Sequence, residues 1–271
     1  MRAELTADDL TETGVVLSTG TAETGMAEQS HVEVGDPTFL LHDYLRRMRS
    51  VLTATAPGLL GTAPTTVLHL GAGALTLPRW LEQHWPQILQ TVVDFEPELV
   101  DFVLKHLPMR SAPESLVADA AEALTGPLAG REFDVVVVDL FNSDQAPQRL
   151  ISSEFFLRVQ QRIRPGGLML VNFGDDAGMG FARRLVSTML STLGPGGADP
   201  DAGLLTAPDS VLGRVEEGNL VFAAVPDGQF TESQLQQIWA AGPHPGEVLS
   251  GEALIRWVQG SSAQAPSAQG T

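Results

Sequence analysis

Carboxylates follow three apolar runs of the chain, and two glycines follow a fourth. Asp94 comes after TVV, Asp119 ends SLVAD, Asp139 comes after VVVV, and Gly71 and Gly73 come after VLHL. If each run is a strand of one parallel sheet, these residues meet at its carboxyl edge, where open α/β sheets bind their ligands. The pattern therefore predicts a pocket in which glycine backbone approaches a ligand closely and carboxylates bind its hydroxyl or cationic groups.

Each of these acids has a functional and a purely structural interpretation. Asp94 stands where such folds hydrogen-bond the vicinal hydroxyls of a ribose. Glu96 could take that role, or it could be an ordinary acid at the start of a helix. Asp119 and the amide of Ala120 could bind an adenine edge, or Asp119 could only cap the next helix. Asp139 could be a base or an ammonium ligand, or it could only cap its loop.

The strands that would position these residues are predicted from continuous Val and Leu runs bounded by turns. Such runs indicate strands buried on both faces, and their alternation with amphipathic segments indicates a parallel sheet. Five parallel strands are predicted at TTVLHLG, TVVDF, SLVAD, FDVVVV and GGLMLVNF. VLGRV and NLVFAAV are predicted to form a closing antiparallel hairpin. The predicted fold class is α/β: a Rossmann-like, seven-stranded, doubly wound sheet of the class I methyltransferase type.

A helix is predicted from Pro37 to Thr53, with Asp36 as its N-cap, because apolar residues that include Tyr44 recur there at helical spacing. The acidic sequence before it, with short β-type runs, predicts a small β-rich region. Later helices are predicted at Leu75–Trp85, Pro97–His106, near Ala120, and at Ser152–Ile163, Met179–Leu193, Thr231–Ala241 and Gly251–Val258.

These patterns predict two structured parts and a tail. Residues 1–53 would form the small N-terminal β-rich region plus its helix, and residues 65–258 would form the nucleoside-binding catalytic domain. A stretch of Pro, Gly, Ala and Thr from 54 to 64 is expected to link them. The uncharged tail 259–271 is expected to be disordered.

Composition and motifs exclude several classes of function. The chain has 33 Asp and Glu against 16 Lys and Arg, a formal net charge of −17 and no Cys. Nucleic acid and anionic membrane are therefore not expected as partners, and thiolate metal sites and thiol nucleophiles are excluded. No HExxH or short His-pair motif occurs, so no metal is expected. The absence of a Walker motif and of a GxSxG elbow excludes a P-loop and a hydrolase triad of the usual kind. Without a leader or an apolar run of spanning length, the chain is expected to be cytoplasmic.

The glycine turn also leaves two interpretations open. Thr76 stands where a dinucleotide fingerprint requires Gly or Ala, which argues against pyrophosphate binding. A plain tight turn between strand and helix is the alternative to a ligand-binding turn.

Taken in order, these motifs resemble the spermidine synthases, or polyamine aminopropyltransferases, and especially their divergent bacterial members. The resemblance runs from about Gly14 to Val225. It rests on AEQS in the N-terminal β region, on Leu41-His42-Asp43, which is similar to the family's Tyr-His-Glu, and on VLHLGAGA, VVDFEP, VADA and VVVVDLFNSDQAP.

The resemblance implies roles for individual residues and partners. Gln29 would contact the nucleoside substrate, Asp94 the ribose, and Asp119, Ala120 and Pro147 the adenine. His42 would lie near a polyamine, and Asp139 would accept its proton. The co-substrate would be decarboxylated S-adenosylmethionine or S-adenosylmethionine, the acceptor a small-molecule amine, and the protein a homodimer.

Two positions depart from the family. It has acids where this chain has Ala74 and Asn142, and those acids hold the amino groups of its substrates; Asp144 could compensate for the second. Losing a buried partner of an ammonium group should cost about 2–5 kcal/mol. Three interpretations stay open: an aminopropyltransferase with an altered acceptor site, an S-adenosylmethionine-dependent methyltransferase, and a non-catalytic nucleoside-binding relative.

Overall fold

The computed structural model describes residues 2–21, 25–59, 66–141, 145–194 and 199–260. Its first three strands form a small antiparallel sheet in the order β1-β2-β3. They are β1 (Arg2–Ala7), β2 (Gly14–Thr21) and β3 (Gly25–Glu33). The small sheet packs on helix α3 (Leu99–His106) and on the glycine turn, where side chains such as Leu17 and Val32 form a separate apolar core.

A second, larger sheet has eight strands in the order β11-β9-β10-β8-β7-β4-β5-β6. Its strands are β4 (Thr66–Leu70), β5 (Leu89–Asp94), β6 (Glu114–Val117), β7 (Phe133–Val138), β8 (Ile163–Asp175), β9 (Gly203–Ala207), β10 (Gly218–Ala224) and β11 (Glu247–Ser250). The five strands from β8 to β6 are parallel, and β10 runs antiparallel to both of its neighbours. The predicted α/β class and the five predicted parallel strands are confirmed.

Helices cover both faces of the larger sheet and bury its Val and Leu side chains. Besides α3, they are α1 (Asp43–Leu59), α2 (Thr76–His84), α4 (Ala120–Thr125), α5 (Ser153–Gln160), α6 (Gly180–Leu190), α7 (Asp209–Leu212), α8 (Glu232–Ala241) and α9 (Gly251–Gln259). Helices α4, α5, α6 and α9 share one apolar core with the sheet, and α1, α2 and α8 share the other. Within the described ranges, no helix is long and apolar enough to cross a bilayer.

The closing hairpin differs from the prediction. Its first strand is not VLGRV, because residues 209–212 form α7 and the turn after it is exposed. Strand β9, in which every residue is buried, pairs with β10 instead. The more apolar segment, residues 203–207, therefore takes the buried place in the sheet beside β10. An eighth strand, β11, pairs with β9 at the edge of the sheet. One of its four residues is exposed and three are half-buried, so its sequence lacks the apolar pattern that would predict a strand.

The first helix begins later than predicted. Asp36 accepts hydrogen bonds from the amide (3.0 Å) and the hydroxyl (2.6 Å) of Thr38, which close a local turn instead of starting a helix. Helix α1 starts at Asp43 and runs to Leu59, through part of the predicted linker. This shift places His42 and Tyr44 at the start of the helix.

Other sequence predictions fall outside the described residues or are not tested. Residues 60–64 of the expected linker and residues 261–271 of the expected tail belong to the first group. The division into domains 1–53 and 65–258 stays a prediction.

One buried guanidinium ties α1 to the larger sheet. The side chain of Arg47 is 2% exposed, and it donates to the carboxylate of Asp43 and to the hydroxyl of Thr206 on β9 (3.0 Å). A charge that is removed from water in this way is tolerated only because these acceptors surround it. This hydrogen bond to Thr206 therefore fixes the first turn of α1 against strand β9 of the larger sheet.

We expect Arg47→Ala to lower the free energy of unfolding by about 2–4 kcal/mol, because it leaves a cavity and an unpaired hydroxyl in the core. Urea denaturation measures this change. Arg46→Ala is the matched control, since Arg46 lies 4.0 Å from the same carboxylate but is 40% exposed; it should change stability by less than about 0.5 kcal/mol. Equal losses for the two variants would contradict the account.

Candidate active site

A cavity of about 970 Å³ lies where the parallel strands β4, β5, β6 and β7 end. Its wall contains every described residue that the sequence predicts for the site: Gln29, His42, Gly71, Gly73, Asp94, Glu96, Asp119, Ala120, Asp139 and Pro147. Asn142 and Asp144 lie outside the described residues. The topology thus brings the predicted positions together, while the role of each stays a prediction.

Positive φ angles and close contacts favour glycine at two positions of the first turn. Gly71 has φ 100°, and a Cβ there would lie 2.2 Å from the carbonyl oxygen of Asp139. Gly73 has φ 48°, and its Cβ would lie 2.5 Å from the hydroxyl of Ser30 on β3. Only glycine combines these conformations with so little space. The turn therefore joins β7 on one side to the N-terminal sheet on the other.

Asp94 is anchored to this turn by both of its carboxylate oxygens. Oδ2 accepts the amide of Ala72 (2.9 Å), and Oδ1 accepts the amide of Glu96 (2.9 Å). Each oxygen keeps a further acceptor site for a ligand hydroxyl. The carboxylate is therefore preorganised on the cavity wall.

Asp119 caps helix α4, which is the structural role that the sequence left open as an alternative to ligand binding. Its Oδ1 accepts the amides of Ala121 (3.0 Å) and Glu122 (3.4 Å) at the start of α4. Its Oδ2 lies 2.7 Å from Nη2 of Arg149, and this hydrogen bond lowers the pKa of Asp119. Arg149 was not singled out from the sequence. Asp119 lines the cavity as a fixed, ionised group.

Asp139 is half-buried and is held by two donors. Its Oδ1 accepts from the side-chain amide of Asn172 on β8 (2.9 Å), and the hydroxyl of Tyr44 donates a second hydrogen bond. Burial raises the pKa of Asp139, although both hydrogen bonds oppose the rise. The pKa of Tyr44 lies well above its ordinary value, first because of burial and then because of the negative charge of Asp139.

The sequence contained signals for these partners that were not recognised. Asn172 interrupts the apolar run LMLVNF and is 1% exposed, which is unusual for an amide unless it is hydrogen-bonded. Tyr44 is the only tyrosine of the chain, and helical spacing alone groups it with the apolar residues. A polar atom at an apolar position was the available clue in both cases.

The N-terminal sheet covers the glycine turn. The hydroxyl of Ser30 accepts the amide of Ala74 (3.1 Å), and the hydroxyl of Thr76 donates to the carbonyl of His31 (2.8 Å). The side chain of Ala74 is 1% exposed and packs in the apolar core beside Leu17. The position that carries an acid in the resembled family is thus an apolar contact in this protein.

The cavity is strongly acidic. Among the described residues, its wall has eight carboxylates and one guanidinium, that of Arg149, which is paired with Asp119. Besides Asp94, Glu96, Asp119 and Asp139, the carboxylates belong to Glu28, Asp43, Glu216 and Glu217. Burial lowers the pKa of His42, so that ring does not supply a compensating charge at neutral pH. Such a cavity favours cationic ligands over anionic ones.

The chain is similar in sequence to curated polyamine aminopropyltransferases. It is 27% identical over 164 residues to that of Neisseria meningitidis serogroup A, an alignment that covers 59% of this chain and 60% of the relative. The chain thus matches about three fifths of the length of this relative. No family model matches the chain.

Solved structures share the fold over more of the chain. A probable spermidine synthase from Corynebacterium glutamicum has a TM-score of 0.80 at 23% identity, covering 97% of this chain and 92% of its own. Human methyltransferase-like protein 13, solved in complex with SAH, has a TM-score of 0.57 at 17% identity, covering 84% and 98%. The predicted Rossmann-like fold is confirmed, and so is the predicted resemblance to the spermidine synthases, as that of a divergent relative.

The only tyrosine offers a direct probe of the Asp139 environment. We expect the tyrosinate absorbance of the wild type to titrate well above the ordinary tyrosine pKa of about 10. Asp139→Asn should lower that midpoint, because it removes the negative charge that opposes ionisation. Circular dichroism at each pH checks that the fold persists. An unchanged midpoint in the variant would show that the two side chains are not coupled.

The pH dependence of thermal stability should also show that the carboxylate of Asp139 is buried. Because the folded protein raises the pKa of Asp139, the ionised form opposes folding at neutral pH, and this cost disappears as pH falls below the pKa of the unfolded chain. We therefore expect Asp139→Asn to raise Tm at pH 7 by roughly 2–4 °C, a gain that vanishes by about pH 4.

The matched control is Asp134→Asn, at the other end of β7. Asp134 is paired with Arg164 (3.0 Å) and accepts the amide of Thr66 (2.9 Å), so its replacement should not stabilise the protein. A lower Tm for Asp139→Asn than for the wild type at pH 7 would contradict the interpretation.

Proposed function

We propose that this chain, a divergent relative of the spermidine synthases, transfers the aminopropyl group of decarboxylated S-adenosylmethionine to an amine acceptor. The observation that carries the proposal is the acidic cavity with Asp139 in its wall. Both substrates are cations, one a sulfonium with an ammonium group and the other an alkylammonium. An excess of carboxylates attracts both substrates and disfavours anionic competitors.

The nucleoside would lie over the ends of β4, β5 and β6. In this arrangement Asp94, with Glu96 beside it, accepts the ribose hydroxyls, and the glycine turn approaches the ligand through its backbone. Asp119 and Ala120 face the adenine edge, with Pro147 against the ring and Gln29 closing from the N-terminal sheet. The hydrogen bonds that fix Asp94 and Asp119 support this assignment, because a preorganised acceptor loses little freedom on binding.

Asp139 would act as the base. An alkylammonium has a pKa near 10, about that of lysine, so it must lose a proton before its nitrogen can attack. Asp139 accepts that proton, the nitrogen lone pair forms a bond to the aminopropyl carbon next to sulfur, and the carbon–sulfur bond breaks. The bonding electrons return to sulfur, which leaves as neutral methylthioadenosine. The raised pKa of Asp139 makes its carboxylate a stronger base.

The acceptor end of the cavity differs from that of the resembled family. Ala74 cannot bind an ammonium group, and the proposed roles of His42, Asn142 and Asp144 near the acceptor rest on the resemblance. The carboxylates of Glu28, Glu216 and Glu217 remain in the cavity wall and can hold a distant ammonium group. We therefore propose an amine acceptor whose binding does not depend on an acid at position 74.

A methyltransferase that uses S-adenosylmethionine is the second candidate. Ala74 favours it, because an apolar residue at this turn does not repel the carboxylate of the methionine moiety. The two functions predict different products, which makes them separable. The expectations of a homodimer, of a cytoplasmic location, and of no metal, nucleic-acid or membrane partner stay predictions.

The test is to incubate the protein with each sulfonium nucleoside and a panel of diamines and longer polyamines. Methylthioadenosine should appear only with the decarboxylated nucleoside and an amine, and mass spectrometry should show the amine extended by one aminopropyl group. Asp139→Asn should lower kcat by about 10²- to 10⁴-fold, while methylthioadenosine should still raise its Tm. Asp134→Asn, which lies outside the cavity, should retain turnover.

Other outcomes would overturn parts of the proposal. Release of S-adenosylhomocysteine from S-adenosylmethionine would favour the methyltransferase. Ligand-induced stabilisation without turnover would favour a non-catalytic nucleoside-binding protein. An unchanged kcat in Asp139→Asn would remove that residue as the base.

A further inference from the structure

We infer that Asn172 and Asn219 are positioning residues, which form a one-way hydrogen-bond chain that fixes the carboxylate of Asp139. The role follows from three side chains on neighbouring strands: Asn219 on β10 donates to Asn172 on β8 (3.0 Å), and Asn172 donates to Asp139 (2.9 Å). The inference rests on the proposed function, because it assigns these asparagines to the proposed base.

Strand register explains how the three residues meet. Val138 pairs with Val171, so the next residues along the parallel strands, Asp139 and Asn172, lie side by side where β7 ends. On the other side of β8, Asn219 pairs with Gly174, two residues beyond Asn172. Residues two apart on a strand share a face, and Gly174 has no side chain to separate the two amides.

The direction of the chain is fixed by chemistry. An ionised carboxylate only accepts hydrogen bonds, so Asn172 must turn its NH₂ group toward Asp139. Its carbonyl oxygen then faces Asn219, and this contact requires the NH₂ group of Asn219 as donor. Asn219 thereby opposes rotation of the Asn172 amide, which would turn a carbonyl oxygen toward a carboxylate.

The cost of burial indicates why such a chain is needed. Asn172 is 1% exposed within an apolar strand, and a buried amide without partners is strongly destabilising. Its hydrogen bond also opposes the effect of burial on the pKa of Asp139. Tyr44 at the start of α1 supplies the other donor to Asp139. In the described part of the wall, the remaining titratable groups are His42, the other carboxylates and Arg149. The two asparagines thus stabilise the ionised carboxylate without adding charge.

The test uses Asn219→Ala and Asn219→Asp, because Asn219 is only half-buried and reaches Asp139 through its hydrogen bond to Asn172. Carbon-13 NMR of a protein with labelled aspartate carboxyl groups, recorded as a function of pH, measures the pKa of Asp139. The signal of Asp139 is identified as the one that is missing from the spectrum of Asp139→Asn. Both variants should raise that pKa, and Asn219→Asp should raise it more, since a carboxylate cannot donate to Asn172 and adds a negative charge nearby. Asn219→Ala is therefore the variant that isolates the hydrogen-bond chain. Gln236→Ala, which removes an exposed amide on α8, is the matched control.

Kinetics give the second readout. Asn219→Ala should lower kcat at neutral pH by about 3- to 10-fold, because an Asn172 amide that is free to rotate no longer holds the carboxylate of Asp139 in one orientation. It should also move the acidic limb of the pH profile upward and change KM for the nucleoside by less than about twofold. An Asp139 pKa in both variants equal to that of the wild type would overturn the inference. If the wild type shows no turnover, the proposed function fails, while the NMR titration still supports or overturns the positioning role.

Discussion

The half-buried carboxylate of Asp139 is the constraint on which the site depends. It directly follows four buried valines at the end of β7, where an ionised group is stable only if hydrogen-bond donors surround it. Strand β8 supplies Asn172, and the first turn of α1 supplies Tyr44. The backbone of Asp139 in turn requires Gly71, since any Cβ there would collide with its carbonyl oxygen. The carboxylate of Asp139 thus links β8 to α1, and the backbone of the same residue packs against the glycine turn.

The sequence predicted the part of the site that depends on strand ends. Continuous apolar runs located the five parallel strands, and in such a sheet the residues that follow them share one edge. Gly71, Asp94, Asp119 and Asp139 were found in this way. Asp119 shows the limit of the method: the structure makes it a helix cap and an ion-pair partner of Arg149, whereas its role toward a ligand stays open.

Contacts between distant segments could not be predicted in the same way. Tyr44 has the spacing of a core residue, and only its position near Asp139, far along the chain, gives its hydroxyl a role. The link between Asn172 and Asn219 depends on the register of β10, which the sequence assigned to a hairpin with the wrong partner strand. Asp36 likewise suited a helix cap, but its side chain closes a turn with Thr38. In each case a polar contact, either between distant segments or within a local turn, decided a role or pairing that the sequence pattern alone did not predict.

The central claim is that an acidic cavity compensates for the apolar residue at position 74 and selects the cofactor that lacks a carboxylate. Isothermal titration calorimetry with decarboxylated and ordinary S-adenosylmethionine tests it most directly. The eight carboxylates among the described wall residues should make the decarboxylated form bind at least about 10-fold more tightly, a difference of about 1.4 kcal/mol. Equal or tighter binding of ordinary S-adenosylmethionine would contradict the account.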